Sequence, residues 1–270
     1  MRILVTNDDG VASPGLHALA RAAVDFPAEV MVVAPRHDQS GSGAAVGPLD
    51  LPGKVVFEAR DLAGLAAVAA YCVDCPPALG VLSAGLGGYG VCPDLVLSGV
   101  NAGLNLGTAV LHSGTVGAAL TAANLGLPAV AVSLAASDRP HWDTAAAIGL
   151  AAAHWLGATG LAVALNVNVP DVGRDGLAGV RVAHLSRFGS VRTALTLTDD
   201  AVRDDPGLEL TLGPSVSDAD PASDAALVRR GFATVTILRG LQEVETRPGP
   251  DPAAFIERVL ADVPDLVPAG

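Results

Sequence analysis

The chain has 270 residues, with 16 Lys plus Arg against 28 Asp plus Glu and a formal net charge of -12. A chain this long buries most of the surface its unfolded form exposes, and so acidic a balance provides no basic footprint for a nucleic-acid backbone. Cys72, Cys75 and Cys92 are an odd set with no secretory signal ahead of them, so the expectation is a reducing cytoplasm without a disulfide framework.

Cys72-x-x-Cys75 has the spacing of half a zinc site, but no second pair follows, and buried thiols are the simpler reading. Mean hydropathy is +0.46. Leu95–Ser137 and Thr144–Pro170 contain no charged residue. Asn101, Asn105, Asn124, Pro128, Asn166 and Asn168 interrupt these runs, and flanking positive residues are missing, so no membrane span is expected.

In chain order, a strand is expected at Arg2–Thr6, a helix at Gly15–Asp25, and strands at Val30–Ala34 and Leu95–Ser98. A helix at Gly114–Leu125, a strand at Ala129–Leu134, a helix at Thr144–Leu156 and a strand at Ala162–Val169 follow. Short, β-branched apolar runs alternating with helices imply a parallel sheet covered on both faces. From Ser186 the texture changes: Thr193–Thr198 alternates, Val235–Leu238 suits a further strand, and Asp251-Pro252 opens a final helix through Val263. The fold expected is α/β, a Rossmann-like doubly wound and mostly parallel sheet with a C-terminal antiparallel excursion. One domain spans 1–270, with its core at about 1–185.

Such sheets take ligands beyond the carboxyl ends of their strands. The loops there read Asn7-Asp8-Asp9-Gly10, Pro35 to Gly43 and Gly99 to Gly107. Adjacent carboxylates at a strand end suit a divalent cation, and they equally suit a turn with a helix cap. Ser113-Gly114-Thr115 opens a helix whose N–H groups and dipole would favour a phosphate, while Ser or Thr there also serves as an ordinary cap.

Several further pieces occur in order: Ala34-Pro35-Arg36-His37-Asp38-Gln39-Ser40-Gly41, Ser98–Gly107, Ser113–Ala119, Leu165-Asn166-Val167-Asn168-Val169-Pro170, Ser223-Asp224 and Gly231–Thr236. With Asn7–Gly10 they resemble the SurE family of metal-dependent nucleoside monophosphate phosphatases. The resemblance implies that Asp8, Asp9, Ser40 and Asn101 bind one divalent ion per subunit, Mg2+ or Mn2+, with Ser42 a rival for the role of Ser40. It implies a phosphate site at Asn105, Ser113, Gly114 and Thr115. Asp8 and Asp9 would carry hydrolysis of a nucleoside monophosphate, a 5'-nucleotidase reaction. A homodimer or tetramer formed through the arm at about 186–270 is implied as well.

Three places depart from the family pattern. Asp74-Cys75-Pro76-Pro77-Ala78 replaces a Gly-Thr-Pro-Ala-Asp-Cys stretch, which leaves the substrate's shape open. His112 stands where the family commonly has an aromatic residue, and either packs or serves as an acid for the leaving group. In the same stretch an acidic position is replaced near Leu120-Thr121, and the third place is the loop after Ser40, shortened before Pro48-Leu49. A haloacid dehalogenase type phosphatase would need two aspartates separated by one residue; here they are adjacent. The alternative from another class is a non-catalytic nucleotide- or phosphate-binding module.

Overall fold

Side chains along β1 (Arg2–Thr6) alternate between two cores, Ile3 and Val5 entering one and Leu4 the other, each at most 1% exposed. A strand flanked by apolar layers on both faces needs no polar side, which is why its sequence is a continuous run rather than an alternation. The computed structural model describes residues 1–47, 54–187, 192–196, 209–213 and 220–241. The chain divides into one unit from Met1 to Gly240 and a second from Leu241 to Gly270. The helix expected through Val263 lies outside the described residues.

After β1 come α1 (Pro14–Val24), β2 (Glu29–Pro35), β3 (Phe57–Ala59), β4 (Ala69–Val73), α2 (Pro77–Gly85) and β5 (Leu95–Ala102). A 3-10 turn (Gly107–His112) leads into α3 (Gly114–Asn124), followed by β6 (Ala129–Leu134), α4 (Trp142–Thr159), β7 (Ala164–Val169), β8 (Gly179–Val182), β9 (Arg192–Thr196), β10 (Glu209–Gly213), α5 (Asp224–Arg229) and β11 (Phe232–Leu238). Local chemistry sets the helix ends. Ser13 caps α1 through Leu16 N–H with Pro14 at the first turn, and α4 stops at Gly160 in the left-handed region.

The nine-stranded sheet has the order β3-β4-β2-β1-β5-β6-β7-β11-β8. From β4 through β7 all neighbours pair in parallel; β3 is antiparallel at one edge, and β11 runs antiparallel to β7 at the other. The chain winds outward from β1 through β2 to β4, then returns to place β5 on the other side of β1. That reversal makes the crevice beyond β1 and β5 the switch point where ligands are expected. Helices α1 and α4 pack together on one face, α2 and α3 on the other.

The expected parallel core is present with small boundary changes, and the C-terminal excursion is the antiparallel pair β9–β10 together with β11. β5 runs further than expected, through Asn101, because its register against β6 shifts between Ser98 and Asn101. Gly99 makes this bulge possible: its φ is +133°, and a Cβ there would lie 2.3 Å from Val132 O. β3, β4, β8 and α2 go beyond the elements expected from the sequence. Ala69–Val73 has few β-branched residues, β8 is exposed along most of its length, and α2 is almost uniformly apolar, so none shows a clear period. Among the described residues, no helix is long and apolar enough to cross a membrane.

Candidate active site

Asn7, Asp8 and Asp9 leave the end of β1 at the switch point. Asn7 shapes the turn, donating through Nδ2 to Gly10 O at 3.1 Å and to Ser13 Oγ at 2.7 Å. This ties the acidic turn to the cap of α1. Asp8 then faces α3 and is only 3% exposed, while Asp9 is partly exposed.

Three chain segments converge on these carboxylates. Thr115, in the first turn of α3, donates its hydroxyl to Asp8 Oδ1, and the same hydroxyl oxygen lies 3.3 Å from Asn101 Oδ1. Asp9 Oδ2 accepts from Ala102 N–H at 3.2 Å, so the end of β5 is bonded to the end of β1. Gln39 N–H donates to Asp8 O at 2.7 Å, bringing in the loop after β2. The bulge at Gly99 aims Asn101 here, its amide held by Gly103 O at 2.7 Å.

Electrostatically both acids are disfavoured in their charged form, first of all by burial. Burial pushes the Asp8 carboxyl up, with the charge of Asp38 adding to this and the Thr115 hydroxyl opposing it. Asp9 is pushed up to about 6 by burial and then by the charge of Asp8, against the Ala102 hydrogen bond. A nearby positive charge would relieve both. The donor set around them, two carboxylates, the Asn101 carbonyl and hydroxyl oxygens, is the hard-oxygen chemistry that Mg2+ and Mn2+ favour.

The hydroxyls divide unexpectedly. Ser40 is exposed, with its N–H bonded to Asp38 Oδ1 at 2.7 Å. Ser42 Oγ is buried without a hydrogen-bond partner. A Cβ built on Gly114 would lie 2.7 Å from both Ser42 Oγ and Asp8 Oδ2, so these two oxygens border the same α-carbon. An orphaned buried hydroxyl beside a buried carboxylate is a site feature that the spacing of Ser40 and Ser42 could not rank.

Ser113 caps α3, accepting from Val116 N–H at 3.1 Å, and both Ser113 and Gly114 are buried. Helix α3 therefore starts against Asp8, with its N-terminal N–H groups and partial positive charge at the switch point. His112 is exposed on the rim, its carbonyl accepting from Gly43 N–H at 3.1 Å. Asn105 sits behind the site. Its Nδ2 donates to Ser133 Oγ at 2.8 Å, its N–H to Asn168 Oδ1 at 2.8 Å, and its carbonyl accepts from Asn166 and Asn168 at 2.9 Å each. These bonds make Asn105 a fixed point of the loop. Among the described residues, no group of three or more His, Cys, Asp or Glu stands together as a metal centre.

A doubly wound parallel sheet with paired carboxylates at its switch point, faced by a helix N-terminus, defines an α/β protein whose candidate ligand site is the crevice between β1, β5 and α3. The sequence model of the family described as Survival protein SurE matches residues 3–191, and the chain belongs to that family. It is 39% identical over 243 residues to the 5'/3'-nucleotidase SurE of Klebsiella pneumoniae (strain 342), covering 88% of this chain and 90% of that protein. It is 40% identical over 248 residues to the 5'/3'-nucleotidase SurE of Serratia proteamaculans (strain 568), with the same coverage of 88% and 90%. The crystal structure of the SurE protein from Aquifex aeolicus matches with a TM-score of 0.73 at 25% identity, over 97% of this chain and 99% of that one.

Proposed function

We propose that this chain hydrolyses nucleoside monophosphates to nucleoside and inorganic phosphate at the site between Asp8, Asp9, Asn101 and the start of α3. One observation carries the reading of the site: a buried Asp8 joined by hydrogen bond to the first turn of a helix that points its N–H groups at the same crevice. An anion-binding terminus set against two carboxylates is contradictory unless a cation joins them. Asp8, Asp9 and Asn101 would hold one Mg2+ or Mn2+, with a hydroxyl from Ser40, as the family resemblance implies, or from Ser42, which the burial and position of its oxygen favour. When bound, such an ion supplies positive charge to the phosphoryl oxygens and to an attacking water.

The protein's own groups do the rest. Ser113, Gly114 and Thr115 hold the phosphate through main-chain N–H groups and the Ser113 hydroxyl, with the helix dipole behind them. Asp9, one oxygen held by Ala102, orients the water with the other. Water attacks phosphorus, the P–O bond to the nucleoside breaks, and the nucleoside oxygen leaves with a proton. Stabilising the charge of that transition state is the main task, because little covalent chemistry falls to the enzyme.

The edge strand β8, with Val180 and Val182 exposed, and the β9–β10 pair support a homodimer or tetramer formed through the C-terminal arm. Free Cys72, Cys75 and Cys92 suit a cytoplasmic protein.

Phosphate release from a panel of nucleoside monophosphates with Mn2+, then with EDTA, tests the reading. Release that stops on chelation and returns with metal is expected; release indifferent to EDTA overturns the metal assignment. No release with any nucleotide, despite tight binding, would favour a binding module.

A further inference from the structure

Asp224 is fully buried, at 0% exposure, and the hydrogen bonds its carboxylate accepts come from residues with no assigned part in the reaction. Burying a carboxylate is costly unless hydrogen bonds satisfy it. Here they come from three places. Asp224 Oδ2 accepts from Gly107 N–H at 2.8 Å, while Oδ1 accepts from Ser186 N–H at 3.0 Å and from Ala225 N–H at 2.7 Å. One oxygen thus holds the loop that follows β5, and the other holds the segment after β8.

Gly107 begins the 3-10 turn that ends at His112 and delivers Ser113, Gly114 and Thr115 to the site. Two residues earlier, Asn105 is pinned by Asn166 and Asn168 of β7. The loop between β5 and α3 therefore has two anchors, one neutral and one charged. A second bond, Thr108 Oγ1 to Arg187 O at 3.3 Å, runs alongside the charged anchor. Charge-assisted bonds to backbone N–H groups are the stronger kind, and their directions fix the chain that carries them.

We propose that Asp224 is a positioning residue for phosphate: it sets the path of Gly107–His112 and, through it, the placement of the α3 N-terminus. The inference rests on the phosphate site proposed above. It assigns a catalytic consequence to a residue on a different element, 109 positions beyond Thr115 in the numbering.

The chemistry selects Asp224→Asn as the test, because an amide of the same size offers one acceptor oxygen to three N–H donors. Turned to satisfy Ser186 and Ala225, it presents an NH2 group to Gly107 N–H and releases that anchor. The expected result is a kcat/KM lowered by about 10-fold to 100-fold, in line with small misplacement of binding groups. The inhibition constant of inorganic phosphate rises in parallel. The rise in Tm on adding Mn2+ alone stays at the wild-type value, since Asp8 and Asp9 are untouched.

Ser223→Ala is the comparison: it removes the cap of α5, where Ser223 Oγ accepts from Ala226 N–H at 3.2 Å, and leaves the Gly107 bond in place. It loses stability with kcat/KM kept within about 2-fold. A folded Asp224→Asn with wild-type phosphate inhibition overturns the proposal, as does an equal loss of activity in Ser223→Ala. Should Asp224→Asn not fold, amide exchange in the wild-type protein decides: slow exchange at Gly107 supports the anchor, and exchange at the rate of a free loop overturns it. Weakened phosphate inhibition in Asp224→Asn alongside full turnover in Asp8→Asn would keep the anchor and overturn the metal-site reading instead.

Discussion

The hydroxyl of Thr115 donates its one proton to the buried carboxylate of Asp8, joining the first turn of α3 to the end of β1 across 107 residues of chain. Asn101 Oδ1 lies 3.3 Å from the same hydroxyl oxygen, so one threonine touches both the first strand's acid and the fifth strand's amide. The buried acid and the first turn of α3 are one bonded unit.

Thr115→Val therefore removes more than a hydroxyl. Asp8 loses the side-chain hydrogen bond that favours its charged form. Losing one bond to a buried charged group is worth about 1–3 kcal/mol, which corresponds to about 5-fold to 150-fold in kcat/KM. Thr115→Ser keeps the donor and should restore most of the activity. Steady-state kinetics on one nucleoside monophosphate check both; equal losses in the two variants would refute a role for the hydroxyl.

Asp8→Asn and Asp9→Asn should separate function from stability. Each removes one of two neighbouring carboxylates that burial disfavours, with the charge of Asp8 adding to this at Asp9. In EDTA both variants should melt no lower than wild type, because a repulsion has gone and the amide keeps an acceptor oxygen. With Mn2+ the wild type should melt higher and the variants show little or no rise. Activity should fall at least about 1000-fold in Asp8→Asn, the scale of losing a principal electrostatic group. Thermal melts with and without metal, beside phosphate release, measure all of this.

Gly117 tests how closely α3 must approach the loop after β2. A Cβ there would lie 2.1 Å from Gly43 O, a backbone atom with no rotamer to give way. Gly117→Ala should lose about 1–3 kcal/mol, the usual range for overpacking. Gly114→Ala meets Asp8 and Ser42 side-chain atoms at 2.7 Å, so it should lower activity more than stability. Denaturant midpoints and kcat/KM for the two variants give opposite orderings if this holds.

Asp171 provides a pH dependence away from the site. It accepts from His141 N–H at 2.7 Å and lies 2.9 Å from His141 Nδ1, joining the end of β7 to the start of α4. Burial alone would raise its carboxyl, but hydrogen bonds from Ser137 and from the backbone and ring of His141 outweigh this and hold it below the ordinary value. A lowered folded pKa stabilises the protein above the unfolded value, and the contribution fades as pH falls through the folded one. The stability gap between wild type and Asp171→Ala should be steady near neutrality and close below about pH 4. Urea midpoints between pH 6 and pH 3 check it, and a gap that widens in acid contradicts it.

How far the sequence could be read differed between strands. β1, β2, β5, β6 and β7 stood out because strands buried on both faces are short apolar runs ended by turn residues. β4 is buried at Ala70, Cys72 and Val73 but has a single β-branched residue, and β8 lies exposed at an edge, so neither leaves a pattern. The acidic turn, the cap at Ser113 and the arm after Ser186 were visible as local chemistry. The resemblance added an order to them.

By itself, the sequence of this protein determined which segments are strands and helices in the parallel core, and which turns hold oxygen-bearing side chains at strand ends. Those are properties of neighbouring residues, decided by periodicity, capping and turn preference. Tertiary structure alone decided that Thr115 spends its proton on Asp8, that Ser42 and not Ser40 leaves a buried hydroxyl beside that acid, and that Asn105 and Asp224 hold the loop from behind. Each of these is a choice of partner well beyond the neighbouring turns, fixed by the sheet order that sets β5 against β1 and β11 against β7. No local preference encodes such a choice, because hydrogen-bonding capacity is written in the residue while the direction in which it is satisfied is set by the packed chain.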